Sequence, residues 1–379
     1  MGKGCFINCV SMPNEKVVSS SGVMKKVYSQ IKILRSEFEV DHILINTFGK
    51  KQNLLEKIKR RLPFFPVDYH WKYSPKFAGY DFIYFRKSDI DYTVYRFLSD
   101  LKKYNSKCKI IFEIPTYPYE KENFHGKKDY PMLLKDRMNH KKLYKCVDRI
   151  VTFSSDNKIW GIPTIKTKNG IDFSEIPVLN RSDNEKNISL IEVSSPAYWH
   201  GYDRLLEGMG IYYSNGGMRD IVFHIVGDGK EIEKYREIVQ RYNIDEHVVF
   251  HGNKYGRDLD LIYQKSFIGI DSLGRHRSNN FTNSSLKSRE YAAYGIPFVA
   301  AVPIDFAENN WEYVLNVPLD DSPIDIEKVI EFYDSIYAEK NCDMVSKTIR
   351  GYAEDKCDIS VTMRPIIEYL QQNEDIEGN

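Results

Sequence analysis

Ser272-Leu-Gly-Arg-His-Arg-Ser-Asn-Asn-Phe-Thr-Asn-Ser-Ser-Leu-Lys-Ser-Arg-Glu-Tyr-Ala-Ala-Tyr-Gly-Ile-Pro-Phe298 is the run on which the reading of this chain turns. A short apolar segment, Ile268–Asp271, precedes it and reads as a strand; a long Gly/Asn/Ser loop follows, then a helix over Leu286–Tyr294 and a strand over Phe298–Ala301. Asn283, Ser284 and Ser285 are the candidate caps of that helix. The first N–H groups of a helix have no partner within it, and with the helix dipole they suit a diphosphate. Arg275, Arg277 and Lys287 supply nearby countercharge, with His276 among them. Glu290 lies on the first turns, where its carboxylate would accept the two hydroxyls of a ribose. The same residues also fit a capped surface helix carrying an ordinary glutamate, and on their own they leave both readings open.

Working outward, short apolar runs alternate with longer amphipathic segments along the whole chain, the pattern of parallel sheets with crossover helices. Cys5–Val10, His42–Asn46, Phe82–Phe85, Ile110–Ile114 and Arg149–Phe153 read as strands, with a helix over Met24–Arg35 and a loop over Thr116–Asp129. From Thr164 to Asn184 the composition turns to Ser, Asp and Asn around the Asn169-Gly170 turn signal, which marks a linker. A second α/β series follows, with strands at Ser189–Val193, Ile221–Val226 and Val248–Phe250 and helices at Asp203–Asn215, Lys230–Tyr242 and Leu259–Gln264. The expected fold class is α/β, two Rossmann-like domains with a central cleft. The expected divisions are residues 1–175, residues 176–355, and a C-terminal helix over 356–379 that packs back toward the first domain.

At 379 residues and 42% hydrophobic composition, each half has enough apolar residues for its own core. A net charge of +1 argues against a nucleic-acid partner. The six cysteines lack metal-ligand spacing, the first residues carry no signal-peptide pattern, and the longest apolar run, Ile296–Ile304, is too short to span a bilayer. A cytoplasmic protein with reduced thiols is expected, peripheral at most on the inner face of the plasma membrane. One segment stands out against the neutral total. Lys50–Leu62 holds six basic residues (Lys50, Lys51, Lys57, Lys59, Arg60, Arg61) against the single acid Glu56, a local charge of +5. At ~100° per residue, Leu54, Leu55, Ile58 and Leu62 share an arc of roughly 100°, and Phe64 and Phe65 follow. Such a helix suits an anionic membrane surface; a core-facing helix with a solvated basic side is the alternative.

Ser285–Phe298 resembles the donor-site helix of the retaining GT-B glycosyltransferases of the large family four, also called glycosyltransferase group 1. Five further motifs match in order: Ser20-Ser-Gly22, Thr152-Phe-Ser-Ser155 with Asn169-Gly-Ile-Asp172, Ala197-Tyr-Trp-His-Gly-Tyr-Asp-Arg-Leu205, Phe223-His-Ile-Val-Gly-Asp-Gly229, and Val249-Phe-His-Gly252. The resemblance, strongest to members from bacterial surface-polysaccharide clusters, implies transfer of a sugar from a UDP-sugar, or a GDP-sugar, to a glycan or lipid-linked acceptor. No Asp-x-Asp stands in a loop suited to a diphosphate-bound metal, since Asp258-x-Asp260 opens a helix, so neither a metal nor a cofactor is expected. The resemblance assigns donor binding to Gly22, Gly227, Lys254, Arg275, His276, Ser284, Ser285, Leu286 and Glu290. In the first domain Glu113, Thr116 and Tyr117 come at the end of a strand and by topology point toward the cleft, where they would bind acceptor; for Glu113 the alternative is a pairing with a nearby base.

The sequence departs from the family at the charges that normally meet the leaving diphosphate. Thr282 stands where the family has its first Glu, His200 where it usually has a Lys, and no Arg occurs near Ser194. His200, Arg204 and Lys287 are therefore the expected replacements, as the catalytic group that stabilises charge growing on the diphosphate. Two other functions remain open on this fold: a sugar-nucleotide epimerase, which would need acid/base carboxylates and histidines around the sugar, and a non-catalytic binding subunit, suggested by the missing Glu.

Overall fold

In the computed structural model, residues 2–15, 18, 21–49, 54–67, 69–120, 126–179, 187–281 and 284–372 are described. Lys50, Lys51, Ser20, Thr282 and Asn283 lie outside them. The chain divides into two compact units, Met1–Lys168 with Thr362–Asn379, and Asn169–Val361. This division falls before the expected 175/176 and after the expected 355/356.

Unit 1 contains strands β1 (Lys3–Val10), β2 (Glu39–Asn46), β3 (Phe82–Arg86), β4 (Lys109–Ile114), β5 (Arg149–Thr152), β6 (Lys158–Ile159) and β7 (Ile162–Lys166), in sheet order β2-β1-β3-β4-β5-β7-β6. All pair in parallel except β6 with β7. Its helices are α1 (Gly22–Glu37), α2 (Leu54–Arg61), α3 (Tyr92–Tyr104) and α4 (Tyr130–His140). Because helices cover both faces, the central strands are nearly continuous apolar runs such as Phe82–Phe85. The linker expected from Thr164 in fact begins inside β7. That strand contains a proline and polar residues and buries only Ile162 and Ile165, which hides it from an apolar-run reading.

Unit 2 contains β8 (Ile188–Val193), β9 (Ile221–Val226), β10 (Val248–Gly252), β11 (Ile268–Ile270), β12 (Phe298–Ala300) and β13 (Val314–Asn316), all parallel, in the order β10-β9-β8-β11-β12-β13. Helices α5 (Tyr202–Ser214), α6 (Ile232–Tyr242), α7 (Arg257–Gln264), α8 (Leu286–Ala293), α9 (Ile326–Tyr337) and α10 (Cys342–Cys357) surround it. The last helix, α11 (Ile359–Gln371), ends in unit 1, where Lys109 donates to the Tyr369 carbonyl at 3.0 Å and Arg149 lies over the Tyr369 ring.

Each sheet buries one glutamate in an otherwise apolar strand. In unit 1 it is Glu113, fully buried on β4. Tyr84 donates to Oε2 at 2.6 Å and Gln30 at 2.7 Å, Lys26 stands 3.6 Å from Oε1, and Arg86 completes the cage. Burial pushes the carboxyl up, but the two cations and two hydrogen bonds outweigh it and hold the group at about 2, against an ordinary 4.5. Glu113 is thus a structural hub with its oxygens occupied, and the expectation that it binds acceptor is corrected.

Replacing Glu113 with Gln removes the carboxylate that Lys26 and Arg86 face and should cost about 3 kcal/mol in chemical denaturation. Since the folded carboxyl is depressed, its contribution is complete above pH 4.5 and is lost as pH falls toward 2. The wild type should therefore lose its advantage over the variant across that window; a constant difference at all pH values would refute the hub.

Candidate functional site

The strand order of unit 2 reverses between β8 and β11, and in open parallel sheets ligands bind beyond the strand C-termini at such a switch point. Three pieces of chain meet there: the loop after β8, the loop after β11, and the start of α8. Gly201, at φ +68°, brings the first two together, since a Cβ on it would stand 2.5 Å from the Gly274 nitrogen. The Leu273 N–H then donates to the His200 carbonyl at 2.7 Å. Gly227 permits a second close approach, because a Cβ there would overlap the Ser194 carbonyl.

Ser285 caps α8. Its hydroxyl accepts from the Ser288 N–H and donates to Asp271 Oδ2 at 2.7 Å. The N–H groups of Leu286 and Lys287 open the helix with no acceptor inside it. The Lys287 side chain is 12% exposed; Nζ donates to the Tyr202 hydroxyl at 2.8 Å and to Ser272 Oγ at 3.0 Å, and stands 3.9 Å from Asp271. Burial pulls its pKa down to about 8, with Arg275 acting in the same direction and Asp271, Glu192 and Glu290 against it. Glu192, fully buried at the end of β8, is pushed up to about 8, chiefly by burial. Ser194 donates to its Oε2 at 2.8 Å, while Oε1 is buried without a hydrogen-bond partner among the described residues.

His200 is half-buried, stacked on Tyr202 and edge-on to Trp199. Its Nδ1 accepts the Ala197 N–H at 3.2 Å, which assigns the proton to Nε2. Burial, then Lys287 and Arg275, push its pKa well below the ordinary value. His200 is therefore neutral, and it offers the site one N–H rather than the charge expected of it.

The switch point thus gathers His200, Gly227, Arg275, Ser285, Leu286, Lys287 and Glu290. Other expected residues serve elsewhere. Arg204 is buried, donating to the carbonyls of Ser322 (2.7 Å), Pro318 (2.9 Å) and Leu273 and pairing with Asp320; its guanidinium is consumed in pinning the 318–322 loop. His276 pairs with Asp321 at 3.0 Å, and Arg277 grips Asp203 with two nitrogens. Ser284 Oγ accepts from the Asn169 N–H and from Arg289, so it ties α8 to the Asn169-Gly170 turn. Arg289 itself, fully buried, also donates to the Asn169 and Ser285 carbonyls and pairs with Asp305. Lys254 follows β10, the edge strand two places from β8, and neighbours His251. Sequence reasoning missed Glu192, Asp271 and Tyr202 as site residues, although an acid inside Ile188-Ser-Leu-Ile-Glu-Val193 was a legible signal.

Unit 1 has its own switch point, between β1 and β3. A cavity of about 200 Å³ opens there, lined by Cys9 and Val10 from β1, Tyr69, Trp71, and Ser88, Asp89 and Asp91 after β3. The Ser88 hydroxyl is buried without a partner among the described residues. Gly22 opens α1 in this unit behind its Ser21 cap, and Thr116 and Tyr117, half-buried, follow β4. Burial raises the Tyr117 phenol, with Asp156 and Glu120 adding to it.

This pair of units resembles several solved structures. HepE from Anabaena, in complex with UDP and glucose, matches over 98% of this chain and 99% of its own at 13% identity and TM-score 0.65. Sucrose-phosphate synthase from Thermosynechococcus elongatus matches over 98% and 99% at 16% identity and 0.64. A glycosyltransferase from Rickettsia africae matches over 98% of both at 12% and 0.61. The fold is GT-B. No protein-family model and no curated protein matches the sequence. The GT-B likeness extends over both units and reaches the expected fold by a route independent of the motifs.

The geometry makes Arg204 a test of the site's boundary. Arg204→Ala strands the Ser322, Pro318 and Leu273 carbonyls and should cost about 3 kcal/mol in denaturant titrations. Unchanged stability would return Arg204 to the candidate catalytic group.

Proposed function

We propose that the chain is a glycosyltransferase that moves a hexose from a nucleotide-sugar to a glycan or lipid-linked acceptor in surface-polysaccharide synthesis, with retention of configuration and without a metal. The observation that carries this is the buried Lys287 ammonium beside the open start of α8, with Glu290 one turn further on. A UDP-sugar is the first donor to test, because HepE binds UDP and UDP-glucose; a GDP-sugar is the second. In this reading Glu290 accepts the ribose hydroxyls, and Lys287, Arg275 and the Leu286 and Lys287 N–H groups face the diphosphate. The anomeric C–O bond breaks with its electron pair moving to the β-phosphate oxygen, where these charges stabilise it. The acceptor oxygen bonds to the anomeric carbon on the same face, and its proton passes to the departing phosphate. The His200 Nε2–H is a neutral donor to the sugar or phosphate. The unit 1 cavity, with Trp71 and Tyr69 as ring platforms and Ser88 as a hydroxyl partner, is the acceptor pocket, with Thr116 and Tyr117 on a neighbouring loop.

Glu290→Ala should weaken UDP binding by ~10- to 100-fold in calorimetry, the usual worth of a charge-assisted bidentate contact; equal affinity would remove Glu290 from the ribose. Incubation with UDP- and GDP-sugars in EDTA should release nucleotide in an acceptor-dependent way. An epimerised donor, or binding without turnover, would replace the proposal.

Lys287 carries a proton below its pKa, and Glu192 is neutral below its own, both about 8. Loss of either proton removes positive charge from the site, so UDP affinity should fall as pH rises through 8. Lys287→Met should bind weakly, lower turnover by ~100-fold or more, and show a smaller fall that begins at higher pH, because Glu192 still titrates and has lost the cation that held its pKa down. A flat wild-type profile between pH 7 and 9.5 would contradict the role of Lys287.

A further inference from the structure

The segment singled out for its basic charge has an arrangement that neither a core helix nor sugar transfer explains. Helix α2 buries none of its residues. Leu54 is 76% exposed, Leu55 59%, Ile58 50%, Leu62 44% and Phe64 80%, so the whole apolar arc faces away from unit 1. A core-facing amphipathic helix does the reverse. In helical projection Lys59 borders one edge of the arc and Arg61 and Lys57 the other, with Glu56 as the segment's only acid. The helix is nevertheless held firmly. The buried Lys135 ammonium on α4 donates to the Arg60 carbonyl and, at 2.8 Å, to the Phe65 carbonyl, and Arg60 reaches Asp89 at 3.6 Å.

We propose that α2 and the turn after it form a docking ridge that seats unit 1 on an anionic bilayer surface. Aliphatic side chains at the crest, a phenylalanine at the end and cations along both edges match the layered polarity of acyl chains beneath anionic headgroups. A second protein copy fits less well. An eight-residue helix presents a face of only ~12 Å by ~10 Å, far below the ~800 Å² per partner of a stable interface. Among the described residues no helix is long and apolar enough to cross a membrane.

The ridge also borders the unit 1 cavity. Asp89, paired with Arg60, and Val67, whose N–H donates to Asp91 at 2.7 Å, both line it. This part rests on the function proposed above: a ridge on the headgroups places the cavity mouth where the polar head of a lipid-linked acceptor emerges.

The test is sedimentation of the full chain with vesicles of 3:1 phosphatidylcholine and phosphatidylglycerol against phosphatidylcholine alone. Recovery should require the anionic lipid and be reversed by salt, since screening lengths fall from ~10 Å at 0.1 M to ~3 Å at 1 M. The triple variant Lys57→Gln, Lys59→Gln, Arg61→Gln should partition about 100-fold more weakly. Leu54→Ser with Leu55→Ser and Phe64→Ser should also release the protein. Both sets leave Arg60 and its Asp89 contact in place, and both should keep wild-type UDP affinity. Equal recovery with both vesicle types, or none with either, would overturn the proposal. So would a dimer that the serine variant dissociates in the absence of vesicle binding. Vesicle binding by a protein that fails to bind any nucleotide-sugar would leave the ridge standing and refute the transferase reading alone.

Discussion

A positive charge held out of water organises unit 2. The Lys287 ammonium has two hydroxyl partners and stands 3.9 Å from the Asp271 carboxylate, an arrangement too loose to neutralise it fully. An ammonium in such a place is costly unless an anion completes its surroundings. The loops and the helix start around it are fixed by contacts of their own. The paired glycines 201 and 274 bring the loops after β8 and β11 into contact, Arg204 clamps Leu273 to the 318–322 loop, and Arg289 anchors the α8 start to Asn169. A diphosphate bound at the start of α8 would supply the missing negative charge.

The two buried glutamates show why partners, and not burial, decide a residue's role. Each is the penultimate residue of a parallel strand, and both are wholly enclosed. Glu113 is surrounded by Lys26, Arg86, Tyr84 and Gln30, stays ionised and holds unit 1 together. Burial pushes Glu192 toward its neutral form, outweighing Lys287, Ser194 and Tyr202, which act in favour of its charged form. The same residue type is fixed scaffolding in one sheet and a titrating neighbour of Lys287 in the other.

How far the sequence could be read follows from these contacts. Five of the six strands of unit 2 were legible because buried parallel strands are apolar runs, the exception being β13, which buries none of its residues; the Ser285 cap and the Lys287–Glu290 spacing are local features of one helix. Arg204 and Ser284 were misread because their partners, Ser322 and Asn169, are more than a hundred positions away and no local pattern announces them. Helices α3, α4, α9 and α10 and strands β6, β7 and β13 were overlooked: β7 is interrupted by a proline and polar residues, whereas α3 and α9 carry a regular apolar spacing (Val94, Phe97, Leu98, Leu101; Ile326, Val329, Phe332, Ile336) that was open to reading. For α2 the periodicity established an apolar arc but not its direction; only the packed structure shows that it faces outward. Thr282, at the position of the family's first Glu, lies outside the described residues.

The account stands or falls on recognition of a diphosphate by Lys287 and the start of α8. The direct measurement is calorimetric titration of the wild-type chain with UDP and with UMP, side by side in EDTA at pH 7. The account predicts that UDP binds at least ~10-fold more tightly, because only its second phosphate reaches the buried ammonium and the helix N–H groups. Equal affinities for the two nucleotides, or no binding of either, would contradict it.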